Sequence, residues 1–124
     1  MTIDDIRDQI AEWEGWTYGC HASKSPDGLP AYPDSKHWKC GDRVCWTHPI
    51  PYTLDEAAKL PEGWSVRVVV HGGIVQVTVW RTDHGPLIAN NHLPKPSFFF
   101  EGTDEIDERI RGRHAAMKAE RGIA

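Results

Sequence analysis

The chain has 124 residues and a formal net charge of -4 at pH 7. That length suits one domain with its own apolar core, and we expect residues 1–124 to form a single domain. The acidic balance argues against non-specific nucleic-acid binding, which needs a basic face. No apolar stretch approaches the roughly 20 residues of a membrane span, so we expect no membrane partner.

The first residues predict a helix over 3–14. Thr2 can cap it, Asp5 stands three residues later as in a capping box, and Gly15 is suited to its C-terminal end. This acidic, helical start differs from a signal peptide, which begins with basic and then apolar residues. We therefore expect the protein to remain in the cytoplasm where it is made. A short strand is predicted at 16–18.

Residues 19–50 differ in composition from the rest of the chain. They hold three glycines, four prolines and all three cysteines, and they show neither a helical nor a strand period. We therefore predict a long irregular insertion here. Because such a long segment without secondary structure is unusual in a small domain, something else is expected to order it.

The following segment predicts a short helix and a β-hairpin. Thr53 begins a second capping box, for a helix over about 54–60. Apolar residues then alternate over 64–71 and 74–81, and Gly72-Gly73 between them suits a two-residue turn. Both strands carry apolar residues on both faces, which indicates that both faces of their sheet are covered.

The C-terminal third predicts the remaining elements. A third strand is expected at 87–89, and Phe98-Phe99-Phe100 is either an edge strand or an apolar plug over the core. Thr103 is the predicted cap of a last helix over about 104–120. The predicted class is thus α+β, with a mostly antiparallel sheet of about four strands between helices, an α/β/α sandwich.

Four short segments carry a resemblance to a known family. They are Ile6–Trp16, Trp46–Pro49, Pro51–Ala58 with the Pro61–Trp64 that follows, and Phe98–Thr103. The chain resembles the phage ABA-sandwich domain family, small bacteriophage proteins of mostly unknown function. The resemblance implies a phage origin and the α/β/α layering, but no particular activity. It does not extend to the residues between Tyr18 and Trp46, where the cysteines lie.

The cysteines and nearby histidines form the clearest chemical pattern. Zinc takes four tetrahedral ligands from thiolates and imidazoles, and a pair separated by two residues can hold one ion from a single turn. We predict one structural zinc ion, which would order the insertion. The predicted ligands are Cys20, His37, Cys40 and Cys45, with His48 as a substitute. The alternatives are buried thiols beside exposed histidines, or a Cys40–Cys45 disulfide.

A second group of residues predicts a binding surface. The loops that flank the sheet are expected to converge on one rim, where an aromatic anchor and polar groups would contact a partner. The residues concerned are Trp38, His84, Asn90, Asn91 and His92. The last helix becomes basic after an acidic start, which indicates either a solvated face with pairs such as Glu105–Arg109 or a phosphate or nucleic-acid contact.

These features favour binding over catalysis, because no nucleophile-elbow, phosphate-loop or zinc-protease motif occurs. The first hypothesis is a phage accessory protein in the host cytoplasm that binds a host macromolecule or small signal, as an inhibitor of a bacterial defence system would. The second is a zinc-ordered adaptor for nucleic acid or protein. The third is a small hydrolase that uses His71, His84 or His92.

Overall fold

The computed structural model describes residues 1–19, 36–82 and 97–122. They form three α-helices and two antiparallel three-stranded sheets, so the predicted α+β class with antiparallel pairing is confirmed. The chain divides into two compact units. The first unit is Met1–Arg7 with Tyr52–Ala124, and the second unit is Asp8–Pro51. No helix in the described ranges is long and apolar enough to span a membrane.

The helices and strands are numbered in chain order. The helices are α1 (Ile3–Trp13), α2 (Leu54–Ala57) and α3 (Glu105–Glu120). The strands are β1 (Thr17–Gly19), β2 (His37–Cys40), β3 (Arg43–Cys45), β4 (Trp64–His71), β5 (Ile74–Arg81) and β6 (Ser97–Gly102).

The N-terminal caps of α1 and α2 follow the prediction. The Thr2 backbone N–H donates to the Asp5 carboxylate at 3.1 Å, and the Asp5 N–H donates to Thr2 Oγ1 at 3.1 Å, which is the reciprocal geometry of a capping box. The Glu56 N–H donates to Thr53 Oγ1 at 3.2 Å. Helix α2 ends at Ala57, three residues before the predicted end, so only its start was predicted correctly.

The cap of α3 is Asp104 and not the predicted Thr103. The Asp104 carboxylate accepts hydrogen bonds from the backbone N–H groups of Ile106 and Asp107, at 2.9 and 3.2 Å. A carboxylate at this position satisfies two otherwise unpaired donors and also carries the charge that the helix dipole favours. The helix ends before Gly122, which has a positive φ of 70° as expected for a C-terminal glycine.

The second unit contains a small sheet in the order β1-β2-β3. Strands β2 and β3 form a hairpin whose two-residue turn begins at Gly41, with a φ of 59°. The prediction of an irregular segment over 19–50 is therefore wrong at 37–45. The strands are only four and three residues long, which is too short for an alternating pattern to stand out in the sequence.

The first unit contains the larger sheet, in the order β4-β5-β6. The predicted hairpin is confirmed with its exact bounds, and Gly72 and Gly73 have φ values of 60° and 80°. Strand β6 pairs with β5 from Ser97 opposite Trp80 to Gly102 opposite Val75, which confirms the edge-strand alternative for 98–100. The predicted strand at 87–89 lies outside the described residues.

Helix α3 covers one face of this sheet. Val75, Val77 and Val79 of β5 are buried there, together with Ala116 of α3. At Gly112 the helix lies so close to the sheet that an added Cβ would be 3.0 Å from Val79 Cγ1. A glycine in mid-helix costs about 1 kcal/mol relative to alanine, so this close packing is the physical reason for its presence.

A buried ion pair holds α2 against α3. Arg113 is 3% exposed, and its Nη1 donates to the Glu56 backbone oxygen at 3.0 Å and to Glu56 Oε1 at 3.1 Å. Burial acts to raise the pKa of Glu56, but the hydrogen bonds from Lys59 and Arg113 outweigh it and leave that pKa below its ordinary value. The carboxylate is therefore held in its charged form between the two helices.

The opposite face of the larger sheet carries several exposed apolar side chains. They belong to Val69, Ile74 and Phe99, whereas Thr78 in the centre of the same face is buried. The register places all four side chains on the side of the sheet away from α3, because they alternate with the buried valines of β5 and their partners.

Candidate functional site

A cavity of about 420 Å³ opens in the first unit between α3, β6 and the start of α1. Its described apolar lining consists of Ile6, Phe98, Phe100, Ala115 and Ala119. Its described polar lining consists of Arg111, His114 and Lys118. The volume and the mixture of an apolar wall with a few polar groups are typical of sites for small organic ligands.

The two-residue period of β6 and the three- and four-residue spacing in α3 explain which side chains line the cavity. Phe98 and Phe100 are two residues apart in β6 and point to the face that α3 covers, whereas Phe99 between them is 57% exposed on the other face. Arg111, Ala115 and Lys118 are spaced at four and three residues and so share one side of α3. The cavity thus lies where this side of α3 runs along the inner face of β6.

The two side-chain cations of the cavity differ in their surroundings. Arg111 Nε lies 3.9 Å from Glu108 Oε1, a loose ion pair. Burial raises the pKa of the Glu108 carboxyl, and the positive charge of Arg111 opposes that rise. Lys118 has no carboxylate partner among the described residues, so its ammonium group is the uncompensated positive charge of the cavity.

His114 is the third basic residue of the described lining, and the surroundings of its imidazole ring favour the neutral form. Burial lowers its pKa below the ordinary value of 6.5, and the nearby positive charge of Lys118 lowers it further. An anion bound beside Lys118 would have the opposite effect, because a negative charge stabilises the imidazolium. The cavity is therefore electrostatically suited to an anion, and its walls are suited to an apolar body.

Three of the predicted zinc ligands, His37, Cys40 and Cys45, lie in the described part of the second unit, in the hairpin of β2 and β3. In β2 and β3, Cys40 pairs with Arg43 and Trp38 pairs with Cys45, so both thiols lie on the same face at diagonal positions. Both are free, and the alternative of a Cys40–Cys45 disulfide is wrong for this structure. His37 alternates with Trp38 and so lies on the other face, where its ring is 4.7 Å from that of Trp46.

The described residues therefore do not bring His37 together with the two thiols. No group of three His, Cys, Asp or Glu side chains arranged to hold a metal occurs in the ranges that the structure describes. Cys20, the fourth predicted ligand, lies outside those ranges. Zinc binding stays a prediction that rests on the thiols of Cys40 and Cys45.

His48, the substitute ligand, uses both of its ring nitrogens within the second unit. The Ile50 backbone N–H donates to Nδ1 at 3.0 Å. Nδ1 is therefore the acceptor, so Nε2 carries the hydrogen and donates to the Asp8 carboxylate at 2.7 Å. A histidine needs a free lone pair to bind a metal, and neither nitrogen of His48 offers one in this arrangement.

The predicted binding residue Trp38 does not have the exposed position that an anchor requires. It is 6% exposed and contacts two rings, with the centroids of Tyr18 and His48 each 5.0 Å away. Trp46 is the exposed tryptophan of this unit, at 61%. The other predicted binding residues, His84, Asn90, Asn91 and His92, lie outside the described residues.

The basic residues of α3 have two kinds of surroundings. Arg109 Nε is 3.0 Å from Glu105 Oε2, which confirms the pair expected of a solvated face. Arg111, His114 and Lys118 line the cavity instead. The sequence shows that these residues are basic but gives no sign of the cavity, because the spacing of charges along a helix does not show which strand lies beside them.

Compared with known protein families, curated proteins and solved structures, the chain has no match.

Proposed function

We propose that this is a small accessory protein that acts by binding without turnover, and that its ligand is a small molecule with an apolar body and one anionic group. The observation that carries the proposal is the composition of the cavity. Its described lining is apolar or basic and contains no carboxylate. An apolar anion would bury its body against Phe98 and Phe100 and place its charge beside Lys118.

The wider role that we propose is based on the sequence resemblance. The resemblance to the phage family supports an accessory protein in the host cytoplasm, and binding of a small anionic signal is one way to inhibit a bacterial defence system. The described lining of the cavity has no hydroxyl, thiol or carboxylate that His114 could activate as a nucleophile. The hydrolase hypothesis concerns His71, His84 and His92, none of which belongs to that described lining.

The decisive experiment compares matched charged and neutral ligands. Phenylacetate, indole-3-acetate and octanoate are each tested against their amides, which keep the shape and remove the charge. We expect the carboxylates to raise the melting temperature and to bind by calorimetry, because a ligand that binds only the folded state stabilises it. The amides should bind several-fold more weakly.

Two variants locate the binding in the cavity. Lys118→Gln removes the uncompensated charge and should weaken carboxylate binding about tenfold while it leaves amide binding unchanged. Ala115→Leu fills the cavity and should abolish both. Lys39→Gln is the matched control, because Lys39 is exposed in the second unit and does not line the cavity.

Three results would contradict the proposal. Absence of carboxylate binding at millimolar concentration would remove its basis. Equal binding of acid and amide would remove the anionic group from the ligand class. Chemical conversion of a probe, lost in a His114→Gln variant, would favour an enzyme over a binding protein.

The second candidate is a zinc-ordered adaptor for nucleic acid or protein. The observation that favours it is the position of Cys40 and Cys45, two free thiols on one face of the hairpin formed by β2 and β3. A zinc ion held there together with Cys20 would fix the segment between β1 and β2. Such a site would be structural, and the adaptor surface would be the exposed part of the second unit.

The α/β/α layering remains part of the proposal. Helix α3 covers one face of the larger sheet. The other face carries exposed Val69, Ile74 and Phe99, which are the apolar side chains that a second layer would cover.

A further inference from the structure

Strand β4 forms an edge of the larger sheet. The sheet order is β4-β5-β6, so β4 has one neighbouring strand among the described residues. It is paired with β5 along its whole length, from Trp64 opposite Arg81 to His71 opposite Ile74. A strand of eight residues with one neighbour leaves a long row of backbone donors and acceptors on its outer side.

The features that commonly protect an edge strand are scarce in β4. Its sequence has no proline, and its one-to-one register with β5 is unbroken by a bulge. Arg67 is its only residue with a permanent charge. Strands with these properties are the ones that pair with a further strand, because the backbone groups need partners and little opposes the approach.

The side chains at this edge are apolar and incompletely covered. Val70 belongs to the face that α3 covers, yet it is 59% exposed, and Val69 on the other face is 43% exposed. Val66 and Val68 are only partly buried against the core. The apolar layer under α3 thus extends to the edge of the sheet, where a further strand would continue it.

We propose that β4 pairs antiparallel with β4 of a second copy of this chain, which joins the two larger sheets into one continuous sheet across a two-fold axis. The strand is complementary to itself in one register. With Val68 opposite its own copy, Val66 faces Val70 and Arg67 faces Val69 across the interface. Val66 would cover the exposed Val70 of the other copy, and the aliphatic part of Arg67 would cover Val69.

The neighbouring registers are less favourable. A two-fold axis perpendicular to the sheet pairs residues whose side chains point to the same face. Each alternative register must therefore place a different residue of β4 opposite its own copy. With Arg67 opposite its own copy, two guanidinium groups would face each other. With Val69 at the centre, Arg67 would face His71 and the paired segment would be shorter.

The proposal can be tested with two substitutions of opposite charge at one position. Val69→Lys and Val69→Glu remove the same apolar side chain, but only the first places a positive charge opposite Arg67 of the other copy. We expect the wild-type chain to form a dimer in analytical ultracentrifugation. Val69→Lys should weaken the dimer about tenfold, since two such pairs occur per dimer, whereas Val69→Glu should stay within about threefold of the wild type.

Further variants check the register and the place of the interface. The double variant Arg67→Glu with Val69→Lys should restore the dimer, because the opposed charges are then of unlike sign. Val70→Lys should weaken the dimer as Val69→Lys does. Phe99→Lys is the matched control: Phe99 has a similar exposure to Val70 but lies on β6, and its substitution should leave the dimer unchanged.

Amide hydrogen exchange of the wild-type chain gives a readout that does not depend on whether any variant folds. The amides of β4 should exchange more slowly at high than at low protein concentration, whereas those of β6 should show no such difference. A chain that remains monomeric at several hundred micromolar would overturn the proposal. So would a dimer that is insensitive to both lysine substitutions in β4, or one whose concentration-dependent protection lies outside β4.

Discussion

His48 shows how a single side chain can join distant parts of the second unit. Its Nδ1 accepts from the Ile50 backbone N–H and its Nε2 donates to Asp8, while its ring packs on Trp38. The hydrogen bond from Ile50 stabilises the local turn that follows His48. The hydrogen bond to Asp8 connects this turn to α1, forty residues earlier in the chain. The side chain is well enough covered that loss of either bond would leave a polar group without its partner.

Substitutions at His48 should separate these two bonds. His48→Asn keeps an acceptor near the position of Nδ1 and loses the bond to Asp8, whereas His48→Gln does the reverse. We expect each to lower the free energy of unfolding by about 1 kcal/mol in urea denaturation. His48→Ala should cost roughly 2–3 kcal/mol, because it loses both bonds and the ring contact. A cost below about 0.5 kcal/mol for His48→Ala would contradict this role.

His114 should make stability depend on pH. Burial, and then the charge of Lys118, lower its pKa below 6.5 in the folded state. The unfolded chain therefore takes up the proton at a higher pH than the folded chain does. The stabilisation by the neutral ring is complete above the unfolded pKa and is lost as the pH falls through the lower folded pKa.

The pH dependence is measured as the melting temperature between about pH 7 and pH 5. In this range the folded and unfolded chains differ in the protonation of His114. We expect the wild type to lose stability on acidification and His114→Gln to show a flatter profile. Lys118→Gln should flatten it only in part, because Lys118 is the smaller cause. His71→Gln, at an exposed histidine of the hairpin, is the control. An unchanged slope in His114→Gln would show that other groups cause the acid sensitivity.

Helix α3 shows how an element is positioned by a residue with poor intrinsic helix propensity. Its alternation of charged and apolar residues gives no sharply apolar side, yet it covers the core face of the sheet. It does so because Gly112 lets the backbone approach Val77 and Val79 of the central strand. The buried Arg113 beside it is satisfied by Glu56 of α2, so a charged residue is accommodated within the same turn.

Substitution of Gly112 should reveal this close packing. Gly112→Ala would gain about 1 kcal/mol of helix propensity, but its Cβ would lie 3.0 Å from Val79 Cγ1 on a strand that is paired on both sides. We expect a net loss of about 1 kcal/mol in thermal or urea unfolding, because the central strand cannot move away. Gly112→Leu should cost roughly 3 kcal/mol.

A double variant provides the control for Gly112. Val79→Ala alone leaves a cavity, but in combination with Gly112→Ala the new methyl group occupies part of that space. The two effects should therefore be less than additive, by about 1 kcal/mol. Additive costs would mean that the alanine Cβ does not compete with Val79 for the same volume.

At the scale of the whole molecule, the zinc prediction concerns the metal content of the protein. We expect one zinc ion per chain in native mass spectrometry of protein purified without chelator, bound to the thiolates of Cys20, Cys40 and Cys45. His37→Asn tests the fourth ligand, because His37 lies on the face of the hairpin opposite to the two described thiols. If His37 is a ligand, its substitution should lower the zinc occupancy as Cys40→Ser does.

Hydrogen exchange distinguishes a structural ion from an incidental one. Removal of zinc, or Cys40→Ser, should increase exchange over 19–50 more than in β4 and β5, which have their own apolar core. Zinc-free protein with three freely reactive thiols would contradict the prediction.

The elements that sequence analysis placed correctly are those whose signals are local. The capping box of Thr2 and Asp5, the start of α2 at Thr53 and the turn at Gly72-Gly73 each depend on residues a few positions apart. Hydrogen bonds and φ values at such sites follow from the residues themselves. The cap of α3 was misplaced by one residue because Thr103 and Asp104 both have the required chemistry.

The candidate site depends instead on contacts between residues that are far apart in the chain. The cavity requires Ile6, β6 and α3 to meet, and the separation of His37 from Cys40 and Cys45 depends on the alternation of side chains in a hairpin too short to be recognised. Trp38 is buried because Tyr18 and His48 pack on it. Residue type and spacing fix what each side chain can do, but packing across the fold fixes which side chains meet, because burial and contact are properties of pairs distant in sequence.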